Sequence, residues 1–300
     1  MIEKLSFQGW NNCYKLSNDQ VALILTTDIG PRILSLTSQG GENLFHIHSG
    51  DLGQMGGEKW RLYGGHRLAF GPLAQPRAYL ADNNSVQIEP QPFGARIFQY
   101  SHRPTGIQKE FEVRLDPKHA QVTIIHRLCN NGAWPVELAA SAITAMAAGG
   151  VGIFPLPARL VHDPDIFHPP HALMIWDYSD MSDPRWRWGD RYVFLRGDQT
   201  NGKGDQRAGM EVAAGWCAYA VNRQLFVKRF THLSGAAYPF GCSVALQAGS
   251  ECFQLETLSP LTTLQPKEIL EHTEEWQVYA DVALPKTEAE VDQHILSKIL

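Results

Sequence analysis

Short runs of alternating apolar and polar residues recur from one end of this chain to the other, with almost no helical spacing between them. Such runs are read at 21–27, 32–37, 85–89, 95–100, 107–115, 121–129, 136–146, 192–196, 215–221, 225–230, 243–248, 252–258 and 274–283. Turn formers punctuate them: Asn18-Asp19, Asp28-Ile-Gly-Pro31, Ser38-Gln-Gly-Gly41 and Asn130-Asn-Gly132. Strands that succeed one another without intervening helices pair antiparallel, so the pattern predicts an all-β sandwich. Only 286–300 reads as a helix. Glu288, Glu290 and Asp292 lead it, Val291, Ile295, Leu296 and Ile299 share one side, and it should close a flank of the sheets. No composition shift or fixed-period repeat divides the chain, so 1–300 is read as one domain; at 44% hydrophobic residues it has ample material for a packed core.

A formal charge of −5 gives no electrostatic reason to expect nucleic acid or an anionic membrane as partner. The first residues lack a basic segment followed by an apolar run, and no stretch reaches membrane-spanning length uninterrupted. A cytoplasmic location is therefore expected. Five widely spaced cysteines without a CxxC pair suggest reduced thiols rather than a disulfide framework or a zinc knuckle.

Three segments carry candidate chemistry. In Cys252–Leu258 alternation sends Phe253 and Leu255 one way and Gln254 and Glu256 the other. A carboxylate among apolar neighbours loses hydration and suits a general base, although a wetted sheet face or an arginine partner would explain Glu256 equally well. The block Gly56-Gly-Glu-Lys-Trp-Arg-Leu-Tyr-Gly-Gly-His-Arg67 gathers Trp60, Arg61, His66 and Arg67 between paired glycines. That is a stacking surface, two fixed cations and an imidazole able to exchange a proton near neutral pH. Asp82, in Tyr79-Leu-Ala-Asp-Asn-Asn84, offers a short acceptor for hydroxyl groups or a plain turn residue. Lys228 alternates onto one face with Phe226 and would bind an acidic sugar or tune Glu256, unless it snorkels at the surface. Trp176, Trp186, Trp188, Tyr178 and Arg185 could form a sugar platform or pack a core. His162, His168 and His171 are interrupted by prolines and fit no metal-ligand spacing, so no metal and no cofactor are expected.

Taken together these residues resemble the galactose mutarotase-like (aldose 1-epimerase) superfamily, in a bacterial branch with a Gly-Gly-His-Arg motif. The resemblance spans nearly the whole chain. Gly30-Pro-Arg-Ile33 with Gly41-Glu-Asn-Leu44 resembles its opening hairpin, and Gly64-Gly-His-Arg67 falls where sugar-binding side chains follow a Gly-Gly. Leu255-Glu-Thr257 with Leu264-Gln-Pro-Lys-Glu268 is similar to the segment carrying its general base. The resemblance implies a supersandwich with an open sugar-binding face, in which a glutamate takes the anomeric proton while a histidine protonates the ring oxygen. Aligned on Pro135-Val-Glu-Leu138, however, Ser141 stands where that histidine belongs, and a hydroxyl cannot serve as acid at neutral pH. The expectation is therefore Glu256 as base and His66 as acid, with His126 a distant second. Arg67, Arg61 and Trp60 would bind the ring, and Asp82 and Lys228 would lie at its rim. The ligand would be a small-molecule carbohydrate, and the protein would be a monomer or a homodimer. A carbohydrate-binding protein without catalysis, or a sugar lyase or hydrolase, are the alternatives.

Overall fold

The computed structural model describes residues 2–73, 79–100, 105–159, 171–198 and 204–299. Among these residues two antiparallel sheets, of eleven and ten strands, pack face to face. In the larger sheet the order runs Ile2–Phe7, Trp10–Ser17, Val21–Thr26, Arg32–Ser38, His66–Gly71, Val136–Met146, Phe253–Leu258, Val244–Ala248, Gln206–Met210 and Leu173–Ile175, with Thr262–Leu264 beside Val136–Met146. The smaller sheet runs Trp186–Trp188, Tyr192–Arg196, Val151–Pro155, Trp216–Val221, Gln224–Phe230, Ile269–Ala280, Gln121–Asn130, Ile107–Leu115, Gly94–Phe98 and Gln87–Gln91.

The expected runs at 107–115, 136–146 and 192–196 keep their bounds. Eight of the described strands were not expected: Ile2–Phe7, Trp10–Ser17, His66–Gly71, Val151–Pro155, Leu173–Ile175, Trp186–Trp188, Gln206–Met210 and Thr262–Leu264. His66–Gly71 and Val151–Pro155 follow glycine pairs, and Gln206–Met210 contains a glycine, so turn chemistry hides these three. Gly64 and Gly65 both have positive φ, and a Cβ on either would collide with the carbonyls of His46 or Ile33. They let the chain squeeze past those backbones and then start the strand at His66.

One apolar face of each sheet fills the interior, with Leu23, Ile33, Leu68, Leu246 and Leu255 opposite Phe111, Ile124, Phe226 and Trp276. Part of the outer face of the smaller sheet is covered by the C-terminal helix. Thr287 caps that helix in a reciprocal box with Glu290, and Val291, Ile295 and Ile299 pack on Ile153, Leu225 and Val227. Val136–Met146 differs from an ordinary half-wetted strand: every residue from Leu138 to Met146 is buried. Its inner face meets the other sheet, so its outer face must be covered too, by the loops that build the cleft below. No helix among the described residues is long and apolar enough to cross a membrane.

Candidate functional site

Register decides which predicted residues can meet. Residues paired across an antiparallel ladder point to the same side, and the next residue along points to the other. Arg32, Arg67, Ile143, Glu256 and Ala245 form one continuous row across five strands. His66, Thr144 and Leu255 form the adjacent row, and Leu255 lies in the inter-sheet core. Arg67 and Glu256 therefore face outward while His66 faces inward. The expected pairing of Glu256 with His66 on one ligand is corrected by this geometry: the two groups open onto opposite faces of one sheet. His126 lies inside as well. Sequence proximity groups His66 with Arg67, and only the strand register shows that consecutive residues there face opposite sides.

Inside, His66 is fully buried and belongs to a closed polar network. His126 Nδ1 lies 2.8 Å from the carbonyl of His272 and must donate to it, which leaves Nε2 as an acceptor. His66 Nε2, 2.8 Å away, then donates to His126, and its Nδ1 accepts from the Thr144 hydroxyl at 2.8 Å. Lys228 is also fully buried here rather than at a rim. Its ammonium donates to Glu274 at 2.9 Å and to the carbonyl of Ala142 at 3.1 Å. Trp276 Nε1 and the Thr257 hydroxyl also donate to the Glu274 carboxylate, and His272 Nε2 lies 2.9 Å from Thr257.

Burial pushes the imidazoles of His66 and His126 below their ordinary value, and that of His272 down to about 3. Burial alone would raise Glu274, but Lys228 and the two neighbouring histidines outweigh it and pull the carboxyl down to about 2. His66, His126 and Glu274 bring three ligand atoms within 4.8 Å of one another, the spacing a metal ion would need. Those atoms are already committed: the imidazoles bond each other and the carboxylate is balanced by Lys228. The cluster holds the sheets together.

Outside, Glu256 is 3% exposed, and both its oxygens are engaged. The Ser141 hydroxyl donates to Oε1 at 2.5 Å, and Arg207 Nη2 donates to Oε2 at 2.5 Å. Arg207 stands on the unexpected strand Gln206–Met210, in a row with Gln247, Gln254 and Ala145. Its guanidinium stacks on the Trp176 ring at 4.2 Å. Trp176 and Tyr178 line a cavity of about 350 Å³ with Met174, Ile175, Asp177 and Phe240. At the other end of the cleft the Arg67 guanidinium lies 5.2 Å from the Trp60 ring, which meets Tyr79 edge-on at 5.8 Å. Two strand spacings, about 10 Å, separate the Arg67 and Glu256 backbones, with Ile143 as an apolar floor between them.

The remaining predicted residues support the walls. Asp82 is buried and forms a 3.0 Å ion pair with Arg32 Nη2, while Arg32 Nη1 donates to the carbonyls of Leu62 and Gly64. Arg61 ties its own loop together through the Gly56 carbonyl and Asp51. His46, unremarked in the sequence, hydrogen-bonds by its backbone N–H to Ala145, one row beyond Ile143 on the outer face. Its Nε2 is buried without a hydrogen-bond partner, and burial lowers its pKa. Trp186 and Trp188 stack at 4.8 Å and Arg185 pairs with Asp183, all at the smaller sheet. His162 and His168 lie outside the described residues.

No family model and no curated protein matches this sequence. Solved structures do. A galactose mutarotase-like protein from Lactobacillus casei superposes with a TM-score of 0.60 at 10% identity, covering 89% of this chain and 100% of that one. A galactose mutarotase related enzyme from Lactobacillus acidophilus gives 0.54 at 9% identity, over 92% and 100%. A galactose mutarotase-like protein from Clostridium acetobutylicum gives 0.51 at 11%, over 93% and 98%. At such identities the likeness concerns architecture: this chain has the galactose mutarotase-like fold.

Proposed function

We propose that the outer cleft binds a carbohydrate and that Glu256 acts as general base on its anomeric hydroxyl, in aldose 1-epimerase-like chemistry. The observation that supports this reading is the row shared by Arg67, Ile143 and Glu256, bounded by Trp60 at one end and Trp176 at the other. Aromatic faces stack on the C–H surfaces of a sugar ring, a guanidinium fork holds vicinal oxygens, and a fixed carboxylate accepts a proton. Ser141 and Arg207 aim the carboxylate, since each fixes one of its oxygens. His46, whose backbone N–H bonds the Ala145 carbonyl and whose buried Nε2 has no hydrogen-bond partner, is the donor we assign in place of His66.

A second reading, binding without turnover, is favoured by one observation: Ser141, where the resemblance places the acid histidine, already donates its hydroxyl to the Glu256 carboxylate. Anomer exchange measured by NMR on a panel of aldoses separates the two. Exchange accelerated by the protein and abolished in Glu256→Gln supports catalysis. Saturation transfer to a sugar without accelerated exchange supports the binding protein. Absence of both across neutral and charged sugars would contradict the carbohydrate reading.

A further inference from the structure

The smaller sheet carries a second concavity, on the side of the molecule opposite the carbohydrate cleft. Its register places Arg187 opposite Phe194, Phe194 opposite Ile153 and Arg196 opposite Val151. All five therefore point outward, toward the side on which the C-terminal helix packs against Val151, Ile153 and Phe194. The segment Leu284-Pro285-Lys286, which leads into that helix, supplies the facing wall. Arg187, Arg196 and Lys286 line one cavity of about 540 Å³ there, over Val151 and Phe194 and beside Leu284. A second cavity of about 500 Å³ shares Val151, Arg196 and Leu284 with it and continues along the turn at Ala148 and Gly149. The two form one trough.

The trough gathers positive charge that the protein leaves without counterions. The side chains of Arg187, Arg196 and Lys286 make no hydrogen bond or ion pair with any described residue, and Arg187 only lies over the Phe194 ring, 5.5 Å from its centre. The carboxylates around them are engaged. Asp183 takes Arg185 through both oxygens, and Glu290 closes the helix cap. Asp292 binds Arg191 and the Tyr192 hydroxyl, and Asp198 has a partner of its own. Leu284, where the two cavities join, is an apolar side chain 38% exposed beside these cations. Guanidinium forks match the oxygens of carboxylates and phosphates, and cavities of this volume take small organic molecules. We infer that the trough is a second binding site, for a small organic anion: a carboxylate or phosphate monoester with an apolar or aromatic body. The anionic group sits among Arg187, Arg196 and Lys286, and the body lies against Leu284. Nothing in this site depends on the carbohydrate reading.

The test is titration calorimetry of the full chain with AMP, adenosine, octanoate and inorganic phosphate. AMP or octanoate should bind about tenfold tighter than either adenosine or inorganic phosphate, and these two arms tell a phosphate ester from a carboxylate. Arg187→Gln and Arg196→Gln should each weaken that binding by about tenfold and leave the melting temperature unchanged, since both side chains are exposed. Arg191→Gln is the control for charge alone: that arginine is exposed and paired with Asp292 outside the trough, and its loss should not change the affinity. Glu256→Gln should be equally without effect. Adenosine or inorganic phosphate binding as tightly as the organic anions overturns the inference. So does a loss in Arg191→Gln that matches the loss in Arg196→Gln, an affinity unchanged in both trough variants, or no binding by any probe.

Discussion

His66 and Arg67 are neighbours in sequence and live in different media. The imidazole of His66 is sealed between two sheets with every nitrogen bonded to protein, whereas the guanidinium of Arg67 looks into the cleft with no hydrogen-bond partner among the described residues. The two acidic clusters differ in which face of the sheet they occupy. Glu274 has Lys228, Trp276 and Thr257 around it between the sheets, and Glu256 has Ser141 and Arg207 on the outer face. Polar groups inside a fold are retained when all their bonds close on one another, and polar groups at a site are left with capacity to spare. Satisfaction separates His66 from Arg67, whereas Glu256, with both oxygens engaged, is separated from Glu274 by the face of the sheet it occupies.

The largest expected effect falls on the inner cluster. Lys228→Met leaves Glu274 charged and buried without its partner, and denaturant unfolding should show a loss of about 3–5 kcal/mol. Adding Glu274→Gln should return much of it, because the uncompensated charge is removed. A loss no greater than a surface substitution would mean that the cluster is not sealed. Next comes Glu256→Gln, which keeps the shape of the site and removes the base. Anomer exchange should slow by about 10²- to 10⁴-fold while sugar binding persists.

The histidines give a third contrast. Their folded pKa values lie below the ordinary 6.5, so between the two values the unfolded chain binds more protons. Stability is then complete above pH 6.5 and is lost on acidification, with a slope approaching about 1.4 kcal/mol per pH unit for each histidine titrating in this way. Glu274, depressed to about 2, adds a further loss as pH falls below 4.5. Melting temperature followed from pH 7 to 4 checks this, and a flat profile would contradict the burial of the three imidazoles. The smallest effect is at the cleft wall: Trp60→Ala should weaken sugar binding by about three- to tenfold and barely change stability.

The sequence reveals the sandwich readily because alternation is a property of single strands, and 107–115, 136–146 and 192–196 need no tertiary information to be placed. It also marks Glu256 and its side of the strand, since Phe253 and Leu255 occupy the other. Lys228 was assigned the correct company, Phe226, but the sequence does not say whether that face meets solvent or the second sheet. His66 was misplaced for a different reason. The glycine pair masks the strand that begins at His66, and within a strand His66 and Arg67 face opposite sides. Arg207 stayed hidden because its strand is five residues long and interrupted by Gly209, too short for alternation to stand out.

The central claim, that the sheet separates a folding cluster from a ligand site, is tested most directly by comparing His66→Gln with Glu256→Gln in one assay of sugar-anomer exchange per folded molecule. The account predicts that His66→Gln lowers the melting temperature and leaves exchange by the folded fraction intact, while Glu256→Gln abolishes exchange. Loss of exchange in His66→Gln at unchanged stability and sugar affinity would place that imidazole in the chemistry and contradict the division.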